Sequence, residues 1–130
     1  MRERITGYAR MWPREVLYKN EEAKVLQKVK GQLGHPGVYI LYRDEIPYYI
    51  GKTERKLFRR IWAHANRPRT KYFNFWNFFS AFVVSDRRYV DEIEAILISS
   101  LPTANRAVPK LRRIDLPNEI WKELRKRGIP

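Results

Sequence analysis

The sequence predicts a domain of the α/β (α+β) class: a small three-stranded, mainly antiparallel sheet flanked by helices, with an added helix at each terminus. Three observations lead there. Residues 37–42 and 48–51 are short runs rich in β-branched and aromatic side chains, with a polar turn between them over residues 43–47. Residues 79–84 form a third run of that kind. Between and after these runs the apolar positions change to helical period, first over residues 55–66 and then over residues 88–98. The order is strand, strand, helix, strand, helix, and helices covering the sheet faces satisfy the need for packed layers.

In chain order, a first helix is expected over residues 21–30, capped by Asn20 and ended near Gly31, with Val25, Leu26 and Val29 turned to the core. The hairpin follows. Folding back near Asp44 and Glu45 places Tyr39 and Tyr49 on neighbouring strands within about one register step, so their rings share a face. Thr53 is the expected cap of the next helix. There Leu57, Phe58, Ile61, Trp62 and Ala65 make the apolar stripe, and Lys56, Arg60 and His64 recur every four residues on an adjoining face. An Arg and a His one turn apart can converge on one anion.

Residues 72–84 are the most aromatic stretch. Tyr72, Phe75 and Trp76 precede the third strand and read as core packing or as surfaces for unpaired bases. In the following helix Val90, Ile93, Leu97 and Leu101 keep helical period, and Glu94 interrupts the stripe at its border. A carboxylate in a largely apolar setting is costly unless a cation, a metal or hydrogen-bond donors compensate it. Glu94 is therefore a candidate metal ligand, although considered alone it reads as a surface carboxylate at the stripe's edge. A closing helix after Pro117 is expected to turn Ile120, Trp121 and Leu124 inward, with Lys122, Arg125, Lys126 and Arg127 outward or in its last turn.

These residues together resemble the GIY-YIG nuclease superfamily over roughly Pro36 to Asn105, about half the chain. The resemblance is carried by Gly37, Val38 and Tyr39; by Tyr49, Ile50, Gly51, Lys52 and Thr53; by the string from Leu57 to His64; by Glu94 to Ile98; and by Leu101 and Pro102 leading to Asn105. Each element supplies a different chemical group, and the ordered set is far more specific than any one of them. Val38 stands where the motif's name has Ile, a conservative exchange.

The resemblance implies hydrolysis of a nucleic-acid phosphodiester with one divalent metal, Mg2+ or Mn2+. Glu94 would be the metal ligand, an oxygen donor of the kind magnesium accepts. Tyr39 would act as general base or align the attacking water with Tyr49 beside it, and the roles of the two phenols are interchangeable at this level. A phenol with an ordinary pKa near 10 needs positive charge nearby to gain phenolate character, and Arg60, Lys52 and the metal are the candidates. Arg60 would stabilise charge on the phosphoryl group in the transition state, and His64 would position water or shuttle a proton. Lys52, Lys56, Arg59 and Arg67 are the expected nucleic-acid-binding residues, and Gly37, Gly51 and Asn105 the supporting ones.

Whole-chain properties agree. The 130 residues carry 27 Lys and Arg against 14 Asp and Glu, a formal charge of +13. DNA is the expected partner, with RNA as a further candidate, and binding should weaken steeply with salt. Ribosomal-type RNA binding and attachment to an anionic membrane surface compete with this reading. The second is weaker because the basic residues are spread along the chain. No cysteine is present, which excludes disulfides, thiolate zinc sites and a cysteine nucleophile. The first residues lack the apolar run of a signal peptide, so a cytoplasmic location is expected, nucleoid-associated in a prokaryote.

The expectation is thus one stand-alone domain over residues 1–130, with a motif core near 36–105, an N-terminal helical extension over 1–35 and a C-terminal one over 106–130. Its expected activity is that of a DNA endonuclease leaving a 5′-phosphate and a 3′-hydroxyl, in repair, recombination, restriction or mobile-element chemistry. A non-catalytic nucleic-acid-binding domain of the same fold is the alternative. The address on DNA would come from DNA structure or a partner protein, and a second copy of the chain would separate double-strand breaks from nicks. Arg2, Arg4, Arg10 and Arg14 read equally as an arm on DNA or as a solubilising tail.

Overall fold

The computed structural model describes residues 4–70, 72–105 and 111–129. Its centre is the expected hairpin, β2 (Gly37–Arg43) and β3 (Ile46–Thr53), closed by a two-residue turn in which Asp44 adopts φ +56°. Asp is among the few residues that tolerate this left-handed backbone. Asn77 holds the turn, accepting from Asp44 N at 2.7 Å and donating to its carboxylate at 2.9 Å.

The sheet has four antiparallel strands rather than three, in the order β1-β4-β2-β3. The fourth is β1 (Ile5–Pro13), paired along β4 (Phe78–Val84), so the expected N-terminal helical extension begins as an edge strand. Its pattern is hard to read because Ala9 is the single fully buried residue of the strand while Arg4 and Arg10 point outward. Charge on an edge strand discourages pairing with other chains. The ladder slips between Ala9 and Trp12, where Met11 takes φ +53° and donates its N–H to Ser80 Oγ at 3.0 Å.

Two helices cover one sheet face. α1 (Ala23–Gln32) and α2 (Leu57–Asn66) pack Val29, Leu33, Leu57, Ile61 and Ala65 against Tyr39, Leu41, Phe79 and Ala81. On the opposite face α3 (Val90–Ser100) lays Val90, Ile93 and Leu97 on Val38, Ile40, Ile50 and Val84. Each fully buried aliphatic side chain contributes roughly 1.5–3 kcal/mol relative to exposure. Gly37 marks the tightest point of β2, since a Cβ there would collide with the Phe82 carbonyl and lie 2.8 Å from Leu57 Cδ1.

Three expectations are corrected. Asn20 does not cap α1, which begins at Ala23 behind Glu22 with no side-chain cap. Thr53 does not cap α2. Its Oγ1 accepts from Arg55 N at 3.1 Å and turns the chain, while carbonyls of His35 and Leu33 take the first α2 amides at 2.9 Å each. The closing helix α4 (Asn118–Lys126) forms but does not turn its apolar side inward: Ile120 is 45% and Trp121 39% exposed. Its amphipathic pattern specifies a face without specifying a partner.

The N-terminal arginines separate. Arg14 is buried, donating to the carbonyls of Ala65 at 3.0 Å, Trp76 at 3.1 Å and Phe73, with the Trp76 ring 4.8 Å away. It is a clamp between the N-terminus and the α2–β4 connection. Arg4 covers the Tyr89 ring at 3.9 Å, Arg10 is exposed, and Arg2 lies outside the described residues. Among the described residues no helix is long and apolar enough to cross a membrane.

Candidate active site

Register builds the site. Tyr39 pairs with Gly51 and Leu41 with Tyr49, so Tyr39 and Tyr49 are diagonal neighbours on the α2 face of the sheet. Their ring centroids are 6.3 Å apart. Gly51 is required where it stands, because a Cβ would run into the ring and hydroxyl of Tyr39.

Helix α2 brings in the next groups. Leu57, Ile61 and Ala65 anchor it to the sheet, which fixes His64 with 8% of its surface exposed and its Nε2 2.9 Å from the Tyr39 hydroxyl. The imidazole ring also lies 5.8 Å from that of Tyr49. Arg60, one turn earlier, is exposed but faces both phenols. Burial pushes the Tyr39 pKa well above its ordinary value, Tyr49 adds to the shift, and the charge and hydrogen bonding of Arg60 oppose it. Tyr49 is raised as well, again by burial first and again opposed by Arg60. Positive charge therefore moderates the phenols without making them phenolates. Both are protonated at neutral pH.

From the opposite face α3 supplies Glu94, whose side chain is 19% exposed and whose carboxylate lies 3.9 Å from Lys52 Nζ. Strand alternation explains the meeting: Gly51 faces α2, so Lys52 faces α3. Lys52 is also paired with Asp91, a bond that raises its pKa. The negative charge of Glu94 raises both phenols, so it is felt around the edge of β3. The site thus wraps an edge strand, with Tyr39, Tyr49, His64 and Arg60 on one side and Lys52, Asp91 and Glu94 on the other.

Asn105 holds that edge in place. Its Oδ1 accepts from Ile50 N at 2.8 Å and its Nδ2 donates to Ile50 O at 2.7 Å, a side-chain imitation of strand pairing. Thr103 steadies the amide with a 2.8 Å bond, and Ala104 N reaches Tyr48 O at 2.8 Å. Beside the site opens a groove of about 830 Å³ lined by Lys52, Lys56, Arg59 and Arg67, the four expected binding residues, together with Arg55 and Arg60. Glu54 and Asp91 are its acidic members.

This chain is similar to the GIY-YIG endonuclease domain of UvrC. The N-terminal domain from Thermotoga maritima, solved with its catalytic divalent cation magnesium, is 29% identical over 61% of this chain and 91% of its own, with a TM-score of 0.47. Two point mutants of that domain, also bound to the cation, are 27% and 26% identical over 71% of this chain and 100% of theirs, each with a TM-score of 0.49. No protein-family model and no curated protein matches the chain.

The residues gathered at the edge of β3 fit a magnesium-like ion on the chemistry of their donors. Among the described residues no cluster of three or more His, Asp or Glu side chains could enclose a metal. The partly exposed carboxylate of Glu94 suits an ion that keeps most of its water and completes its shell from a phosphate. Asp91 and Arg55 also border the site, and Tyr72, read from the sequence as core packing or a base contact, sits against Tyr49. Asp91 was findable, since it lies one turn before Glu94 on the same helix. The position of Tyr72 was not, because its place against Tyr49, 5.2 Å between centroids, depends on a turn with φ +62°.

Proposed function

We propose that this protein is a metal-dependent endonuclease that hydrolyses DNA phosphodiester bonds at the edge of β3. The observation that carries the reading is the buried 2.9 Å bond between Tyr39 and His64, with Arg60 beside it, Glu94 across the edge of β3 and the cationic groove that Arg60 lines next to it. DNA is the inferred partner, and the groove the inferred track for its backbone.

The protonated state of Tyr39 defines how its chemistry works. Water attacks phosphorus as the bond to the 3′ oxygen breaks; the water's proton passes to the Tyr39 oxygen while the Tyr39 proton moves to His64 Nε2, and the departing 3′ oxygen takes a proton from solvent water. No free phenolate is needed. Tyr49 aligns the attacking water, and Arg60 binds the charge that gathers on the phosphoryl oxygens, a role worth about 10²–10³ in rate for a preorganised donor. Glu94, with water, would hold one Mg2+ or Mn2+, which when bound supplies Lewis-acid polarisation of the phosphate. The products are a 5′-phosphate and a 3′-hydroxyl.

Nicking of supercoiled plasmid tests this with wild type, Glu94→Gln and chelator. Cleavage by wild type that disappears in Glu94→Gln and in chelator, with DNA binding retained, is the expected result. Binding without cleavage in every arm would sink the catalytic reading in favour of a non-catalytic nucleic-acid-binding domain.

A further inference from the structure

The rings of the candidate site do not stop at Tyr49. Tyr72 lies against Tyr49 at 5.2 Å, Tyr48 meets Tyr72 edge-on at 5.1 Å and 81°, and Phe75 stacks on Tyr48 at 5.3 Å with their planes 7° apart. A continuous ladder of aromatic rings therefore leads from the Tyr39–His64 pair to the surface. It ends on Phe75, which remains 55% exposed although one side of its ring is covered.

The ladder is held rigidly and at a cost. Tyr72 adopts φ +62°, an uncommon backbone for an aromatic residue, and strain of this kind persists only where surrounding structure enforces it. Here Phe75 N bonds to Tyr72 O at 3.0 Å, and the Tyr72 hydroxyl donates to Ala104 O at 3.3 Å. Within the same turn Trp76 goes into the core at 2% exposure, so apolar burial was available one residue away. Leaving a Phe ring at the surface forgoes that gain.

We infer that Phe75 and Tyr48 form a stacking platform for an unpaired nucleobase next to the scissile phosphate, which makes DNA with a junction, flap or single-stranded stretch the substrate class. This deepens the endonuclease reading and rests on it. A flat exposed ring accepts the face of any base, whereas a base inside a duplex has both faces covered by its neighbours. The groove supplies backbone attraction common to all DNA, and the platform supplies the distinction between paired and unpaired.

The test uses the full chain carrying Glu94→Gln, so that binding is read without cleavage. Oligonucleotides carry 2-aminopurine either unpaired at a fork junction or paired within a duplex of equal length. Binding should quench the unpaired fluorophore and favour the fork by about tenfold, within the 1–3 kcal/mol that one base–aromatic stack contributes. Adding Phe75→Ala should remove that preference and leave duplex affinity unchanged, and Phe75→Trp should keep it. Equal affinity for fork and duplex, or a Phe75→Ala loss that is absent or the same on both, would overturn the proposal. Because no hydrolysis is read, a failure here leaves the plasmid result intact, and a failure of plasmid cleavage leaves this comparison valid.

Discussion

The ring and hydroxyl of Tyr39 fill the space into which a side chain at Gly51 would project, so the glycine of β3 is the seat of the tyrosine of β2. The two motif residues are one device. With no Cβ at Gly51 the phenol can lie flat across the strand, and only from there does it reach His64 at 2.9 Å.

Gly51→Ala should accordingly displace the phenol, lowering stability by about 1–3 kcal/mol as overpacking does and lowering nicking more than binding. The check is a double-mutant cycle in urea unfolding with Tyr39→Leu, whose shorter side chain vacates the space. The Gly51→Ala penalty should shrink by about 1 kcal/mol or more in that background, as expected for residues in direct contact. An unchanged penalty would place its origin elsewhere.

How much of this was legible follows from which interactions are local. The hairpin, α2, β4 and α3 announce themselves by period and turn chemistry within a few residues. The convergence of Tyr39, Arg60, His64 and Glu94 needed the resemblance as well, because α2 and α3 lie on opposite faces and meet only around an edge. What was illegible is long-range. β1 pairs with a strand about seventy residues later and buries little, so its alternation is faint. Arg14 reads as surface charge yet is satisfied by carbonyls of Ala65, Phe73 and Trp76, groups the local sequence does not reveal. α4 shows the converse, an amphipathic pattern with no covering partner among the described residues.

The groove makes a second prediction. Lys56, Arg59 and Arg67 are exposed along it, whereas Lys52 shares its charge with Asp91 and Glu94. Replacing any of the exposed three with Ala should reduce the slope of log affinity against log salt by about 0.9 on duplex DNA, one phosphate contact each. Lys52→Ala should change the slope less. Fluorescence anisotropy in the Glu94→Gln background across a series of KCl concentrations measures this, and slopes equal to the parent's would show that the groove does not carry the DNA.

Burial of the phenols makes a third prediction, in alkali. An unfolded tyrosine releases its proton near the ordinary value of 10.0, whereas Tyr39 and Tyr49 hold theirs to higher pH in the fold. Above about pH 10 the folded state thus binds more protons than the unfolded one, and stability must fall as pH rises, by up to about 1.4 kcal/mol per pH unit for each phenol. Below that pH both states are protonated and the phenols add no slope. Tyr39→Phe removes one titrating group, so its urea midpoint should start lower for want of the His64 bond yet decline less steeply between about pH 10 and pH 11. Tyr49 keeps the variant's slope from vanishing. Parallel declines in the two proteins would mean that Tyr39 ionises in the fold as readily as in water, and that burial does not hold its proton.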